Sequence, residues 1–254
     1  MTESKADTHQ VLCMAMDIGK SMIRCGAEAN RVEETVTRIC SAYGGINTEV
    51  FSIVSMILAT ATGKDGTSDT QTRRIHGYST DFDRLDKLNA LSRRICKETP
   101  PPEEVLAELA QIKSDRRHLL WYVGIGYFVV GFAFTLFFGG SFQDAAVSAA
   151  IALLLWLLTS FVRVQGLSKL FFTALSSAAL GFLAVFFEKI GLADNAAMVM
   201  IGDIMLLIPG LLLVNSLREM LCGDLISGLL RLLECIILAL AIACGFAVPI
   251  LIFK

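Results

Sequence analysis

The stretch LLWYVGIGYFVVGFAFTLFF, Leu119 to Phe138, carries no charge over 20 positions. About 20 apolar residues, rising about 1.5 Å each as a helix, cross the ~30 Å hydrocarbon core of a bilayer. Residues 145–162, 170–187 and 235–253 are equally free of charge. Residues 195–217 are long enough for one more span but contain Asp203, Pro209, Gly210 and Asn215. The pattern predicts an α-helical polytopic membrane protein with five transmembrane helices over residues 116–254. The last helix is expected to begin as early as Leu225, because its entry carries Arg231 and Glu234.

Upstream of Leu119 the physics changes. Residues 1–118 hold 33 of the 46 charges, and residues 119–254 hold 14 of the 16 Phe. The chain as a whole is 54% apolar and 18% charged, with a mean hydropathy of +0.62. A soluble domain carries about 45–50% and about 25%. This composition excludes a soluble enzyme, a secreted disulfide scaffold and a disordered chain. Net charge is −2, so nothing points to nucleic acid. Seven Cys show no CxxC spacing, and neither a metal site nor a cofactor is expected.

Residues 1–115 read as a small cytoplasmic α+β domain. Val11, Ala15, Ile18 and Met22 recur at helical spacing, and Gly26 ends that helix. Asn30 reads as the N-cap of a second helix, with Glu33 completing a capping box and Val32, Val36, Ile39 and Tyr43 on the apolar face. Residues 46–62 read as one strand, Gly63 to Gly66 as a turn, and Thr70 to His76 as the returning strand of a hairpin. A third helix is expected over Phe82 to Lys97. Pro100, Pro101 and Pro102 break it before a fourth begins near Glu103. The polar N-terminus shows no cleavable signal peptide, which leaves this half in the cytoplasm. Loop charge agrees. Alternate loops and tails hold seven basic residues (Lys113, Arg116, Arg117, Arg163, Lys169, Arg218 and Arg231) against two (Lys189 and Lys254). The positive-inside rule then places the N-terminus in the cytoplasm and the C-terminus outside the cytoplasmic (inner) membrane.

GDIMLLIPGLLLVNSLRE, Gly202 to Glu219, is the segment richest in possible chemistry. An uncompensated carboxylate at membrane depth costs on the order of 3 kcal/mol or more, so Asp203 must face protein or water, or carry a proton. Pro209 removes a backbone donor and Gly210 loosens the helix beside it, which predicts a kink or break whose carbonyls can face a cavity. Asn215 offers both a donor and an acceptor. Asp224, Gly228, Arg231 and Cys235 share one helical stripe, with Glu234 three residues after Arg231. Arg218 or Arg231 is suited to hold a carboxylate in a two-point fork. The plainer alternative is that Arg231–Glu234 and Arg218–Glu219 are interfacial ion pairs. The candidate substrate-binding set is therefore Asp203, Pro209, Gly210, Asn215, Arg218, Asp224, Arg231 and Glu234. Ala145/Ala149, Ala146/Ala150 and Ser177/Gly181 are small pairs that let helices approach. Gly139, Gly140 and Asp144 read as a turn or an outer gate. Glu28, Arg31, Glu33 and Glu34 cluster at the second helix start, with His76, Asp81 and Asp83 near the third. His9 and His118 stand alone.

Two segments carry a family resemblance. Gly26-Ala27-Glu28-Ala29-Asn30-Arg31-Val32-Glu33-Glu34-Thr35-Val36 is close to a G-A-E-x-x-R-V-E-E-T pattern, supported by Thr72-Arg73-Arg74 and by Asp86 to Arg93. Ile208-Pro209-Gly210, Asn215, Asp224, Gly228 and Arg231 match a P-G…N…D…G…R pattern. On these residues the chain resembles the large-subunit type of the threonine/serine exporter family. The resemblance implies a cytoplasmic N-terminal domain and a membrane domain that exports small amino acids such as serine and threonine, coupled to the proton gradient. A C4-dicarboxylate such as succinate is the alternative solute. It also implies a separate small membrane subunit of about four spans, since full-length members carry a second membrane half, and hence a hetero-oligomer. No complete catalytic set is legible, so an enzyme is not expected. The rival readings are a membrane-tethered hydrolytic domain and a regulatory module.

Overall fold

The computed structural model describes residues 8–44, 47–63, 66–77, 79–115, 120–161 and 168–253. Arg116, Arg117, Leu119, Arg163 and Lys254, used above for spans and orientation, lie outside them, as do the isolated His118 and Lys64 and Asp65 of the expected turn. The chain divides into two compact units. One comprises Met1–Arg116 with Val214–Arg231, the other Arg117–Leu213 with Leu232–Lys254.

The first unit is built around α1 (Thr8–Arg24), whose Val11, Leu12, Met14, Ala15, Ile18 and Met22 are fully buried. Helix α2 (Ala29–Ala42) lies against it. Gly19 makes that possible, because a Cβ there would sit 3.0 Å from Val36 and 3.1 Å from Val32. The helix begins two residues earlier than the capping-box reading implies, with Glu28 rather than Asn30 in the cap position. Residues 46–62 are not one strand. Strand β1 (Asn47–Ile53) turns at Val54-Ser55 into β2 (Met56–Thr62), which pairs in turn with β3 (Ser68–Arg74). The result is an antiparallel meander in the order β1-β2-β3. Ile57, Ala59 and Ala61 face the core, while the partners Phe51 and Leu58 face outward. Helix α3 (Phe82–Glu98) is capped by Asp81, which accepts the Arg84 N–H at 3.1 Å, and ends at Thr99 in the left-handed region, φ 44°. Helix α4 (Pro102–Ser114) opens on a proline at its first position, where no N–H is needed.

The second unit is helical. It holds α5 (Leu120–Phe137), α6 (Phe142–Phe161), α7 (Lys169–Lys189), α8 (Ala196–Leu207), the first turn of α9 (Gly210–Leu221) and most of α10 (Leu225–Ile252). Among the described residues three helices are long and apolar enough to cross a membrane: Phe142–Ser160, Lys169–Lys189 and Leu225–Ile252. Helices α8 and α9 make a fourth if taken as one span, bent by 50° at a break where Ile208 and Pro209 leave the helix. The break removes the shared face expected for Asp203 and Gly210 on a continuous helix. Residues Trp121–Phe137 form a shorter apolar helix, so the described residues reach three or four spans by length rather than five.

Backbone proximity holds this unit together. A Cβ on Gly131 would meet Ala152 at 3.0 Å, and one on Gly124 would meet the Trp156 ring at 3.1 Å. One on Gly181 would meet Pro249 at 2.6 Å. Ala145 and Ala149 are buried, as their spacing suggests, whereas Ala146 and Ala150 are exposed.

Asp144 acts as a staple. Its carboxylate accepts the N–H groups of Asp194 at 2.8 Å, Asn195 at 2.9 Å and Ser141 at 3.0 Å, and Ser141 Oγ accepts the Asp144 N–H in return at 3.1 Å. The side chain thus caps α6 and ties it to the loop before α8. Orphaning a buried donor costs about 1–3 kcal/mol. Asp144→Ala is therefore expected to lower the melting temperature in detergent by several degrees, and Asp144→Asn, which keeps one acceptor, by less. Equal melting of Asp144→Ala and the parent would show that water replaces the carboxylate at no cost.

Candidate functional site

Each unit brings some of the candidate side chains together. In the helical unit they centre on Asp203, whose side chain is fully buried. Gly202 lets α8 approach α5, since a Cβ there would lie 2.0 Å from Thr135 Oγ1 and 3.1 Å from the Gly131 carbonyl. That approach brings Asp203 to Ser148 of α6, with Ser148 Oγ 2.8 Å from Oδ1. Ser148 Oγ also lies 3.1 Å from the Gly131 carbonyl, to which Thr135 donates at 2.8 Å. A hydroxyl has one proton to give. With Asp203 ionised, Ser148 donates to Oδ1, and Gly131 keeps only its bond from Thr135. With Asp203 protonated, Oδ1 donates to Ser148, and Ser148 donates to Gly131. The same atoms therefore accommodate both protonation states with a single hydroxyl rotation. Oδ2 is buried without a hydrogen-bond partner. Asp203 faces protein, one of the settings its depth demanded, and it is closed off from the surface. Beyond it, the break leaves the Pro209 carbonyl 3.9 Å from Cys235 Sγ. Glu234 pairs with Lys169 at 3.2 Å.

In the first unit the Gly26–Val36 segment meets the later part of the second family-like segment, Asn215 to Arg231. Gly223, at φ +99°, turns the chain between α9 and α10, and the Asp224 N–H bonds the Glu219 carbonyl at 2.9 Å. A Cβ on Gly228 would meet Met220 Cγ at 2.4 Å and the Ser216 carbonyl at 2.7 Å. Only glycine lets the start of α10 lie this close to α9, and the closeness sets Arg231 Nε 3.1 Å from Glu219 Oε2. Both side chains are almost completely buried, at 4% and 1% exposure. The Gly26–Glu28 turn closes over them. The Ala27 carbonyl accepts from Arg231 at 3.1 Å, and the Ala29 N–H donates to Glu219 at 3.3 Å. Arg218 pairs with Glu28 at 2.8 Å. Glu33 accepts the Ser52 N–H at 2.6 Å; burial pushes its carboxyl up, and that bond partly offsets the shift. Ser227 donates to the Ser52 carbonyl at 3.4 Å.

The sequence-derived residues thus fall into two groups. Asp203, Pro209, Gly210 and Glu234 lie in the helical unit; Asn215, Arg218, Asp224 and Arg231 lie in the other. Asn215 is half-buried. The local pair Arg218–Glu219 does not form, because adjacent helical residues point in different directions: Arg218 pairs with Glu28 and Glu219 with Arg231. Sequence reasoning missed Ser148 and Thr135, and gave Glu219 to Arg218 rather than to Arg231. It also missed a contact on α1. Cys13 Sγ lies 3.7 Å from His9 Nε2, and His9 Nδ1 lies 2.8 Å from Asp69 Oδ2. The signal was the four-residue spacing of His9 and Cys13. The contact lies on an exposed edge. No group of three or more His, Cys, Asp or Glu side chains suited to a metal ion occurs among the described residues.

Comparison with known proteins completes the picture. The chain is 25% identical over 252 residues to the "Threonine/serine exporter" of Corynebacterium glutamicum, an alignment covering 94% of this chain and 50% of that protein. It is 26% identical over 248 residues to the "Probable threonine/serine exporter" of Mycobacterium tuberculosis, covering 96% of this chain and 46% of that one. It spans about half the length of these relatives. No solved structure matches it. The family described as "Putative threonine/serine exporter" matches residues 13–253, nearly the whole chain, from the buried face of α1 to the end of α10, and the protein belongs to that family.

Proposed function

We propose that this chain is the large subunit of a secondary exporter that moves small hydrophilic amino acids of the serine/threonine type out of the cell in exchange for protons. The reading has five spans in the cytoplasmic membrane, the N-terminal domain in the cytoplasm, the C-terminus outside, and a second, small four-span subunit completing the pathway. Family membership supports the exporter. The observation that carries the mechanism is Asp203, a buried carboxylate on a hydroxyl that serves both of its protonation states, one and a half turns before a break in the same helix. A proton arriving at Asp203 reverses the Ser148 bond, and the broken α8–α9 pair supplies an element able to take two arrangements. In the enclosed arrangement Asp203 is shut away, so export requires a second one in which the cluster opens. Pro209 and Gly210 act as the hinge. Asn215, Arg218, Asp224, Arg231 and Glu234 position that hinge or meet the solute.

Asp203→Asn keeps the shape and one acceptor but removes the proton site. Efflux of labelled serine and threonine is expected to fall about tenfold or more, because an ionisable group at membrane depth is a proton-relay candidate that the amide cannot replace. Membrane levels of the variant should match the parent, and the residual efflux should no longer respond to an uncoupler. Unchanged, uncoupler-sensitive efflux would remove Asp203 from the mechanism. Full transport by this chain alone in liposomes would remove the second subunit.

A further inference from the structure

The first unit contains a cleft of about 590 Å³ between α2, α3 and the Arg218 end of α9. Its volume lies within the range of about 300–1,000 Å³ usual for small-molecule sites. Its charge is lopsided. Arg31 and Arg38 line it from α2, Arg93 and Lys97 from α3, and Arg218 from α9, against two carboxylates, Glu28 and Glu34. Both carboxylates are already engaged, Glu28 by Arg218 at 2.8 Å and Glu34 by Arg38 at 2.7 Å. Among the described residues, Arg31, Arg93 and Lys97 make no ion pair. Three unneutralised cations on facing helices repel each other, and the fold gains nothing from gathering them.

We propose that this cleft binds a small, soluble anion carrying about three or more negative charges on phosphate or carboxylate groups. Guanidinium groups suit such oxyanions because they bind them through two parallel hydrogen bonds. A serine or threonine zwitterion has no net charge and leaves the surplus unmet, so the ligand is an effector and not the solute proposed above. Arg218 gives the site its second property. It is shared between Glu28 and the cleft, and it sits on the helix that follows the Pro209 break. A bound anion competes with Glu28 for Arg218 and thereby acts on α9.

The test is isothermal titration of the full chain in detergent with sodium triphosphate, ATP and citrate, with serine as the uncharged control and phosphatidylglycerol vesicles as a separate arm. At least one soluble anion is expected to bind 1:1 with Kd below about 1 mM and to weaken steeply with salt. The three anions separate phosphate from carboxylate chemistry. Arg93→Gln combined with Lys97→Gln is expected to weaken binding about tenfold or more with the melting temperature unchanged, since both side chains are exposed. Glu28→Gln is expected to tighten it severalfold by freeing Arg218. No soluble binding below about 1 mM, equal affinity of the double variant, or binding to vesicles alone would overturn the proposal. Unchanged or weaker binding by Glu28→Gln would overturn the competition for Arg218. None of these results depends on whether the chain exports amino acids.

Discussion

Arg231→Met is expected to prevent the first unit from closing on residues 214–231, whereas Arg231→Met combined with Glu219→Leu is expected to recover most of the loss. Glu219 is 1% exposed and Arg231 4%. Removing the guanidinium strands a carboxylate whose remaining partner is one N–H, that of Ala29 at 3.3 Å. Breaking a buried ion pair from one side costs about 3–5 kcal/mol, while replacing both partners with apolar groups of similar volume is often close to neutral. The asymmetry separates two roles that the pair could have. If the pair only holds the fold, the double variant restores both thermal stability and export. If Arg231 also meets the solute, stability returns and export does not. Thermal melting and efflux of the two single variants and the double variant form one cycle that reads both quantities. Equal stability of Arg231→Met and the parent would show that Glu219 reaches water in solution.

Much of this architecture was legible because membrane depth penalises charge so strongly. Four uncharged runs located four of the helices directly, and Pro209 announced the break that separates α8 from α9. Leu225 was read as the earliest start of the last helix, and α10 begins there. The sheet was harder. The turn between β1 and β2 falls on Val54-Ser55, with no Gly, Pro, Asn or Asp to mark it, so the run from 46 to 62 looked continuous. The partners of the candidate residues were hardest. Ser148 lies 55 positions from Asp203, and a helical serine by default bonds a carbonyl of its own helix, so nothing local marks it. Glu219 follows Arg218 and was read as its partner. Only the α9–α10 turn at Gly223, together with the contact at Gly228, shows that its partner is Arg231. Pairings that depend on how a chain turns back on itself are not written in any one segment.

Gly245→Val gives the sharpest expected failure in the helical unit. A Cβ at Gly245 would stand 1.9 Å from Ser177 Oγ and 2.6 Å from the Ala174 carbonyl. The hydroxyl can rotate away, but the carbonyl belongs to the backbone of α7 and cannot. Helices α7 and α10 must then separate along a seam where Gly181 also sits, with no room for a Cβ against Pro249 at 2.6 Å. Association of helices in lipid rests on close packing, because lipid tails are as apolar as the side chains they would replace. Overpacking costs about 1–3 kcal/mol in cores that can adjust, and a seam fixed by backbone on both sides adjusts least. Even Gly245→Ala should lower the melting temperature, and Gly245→Val should leave little folded protein after detergent extraction. Ser177→Ala should not rescue either variant, because the Ala174 carbonyl and Ser177 Cβ, the latter at 2.9 Å, both remain. Gly126→Ala is the control, since a Cβ there meets nothing within 4 Å, and it should behave as the parent. Size-exclusion profiles and melting curves of the set decide the matter. A well-folded Gly245→Val, or rescue by Ser177→Ala, would mean that α7 and α10 are not held at this distance.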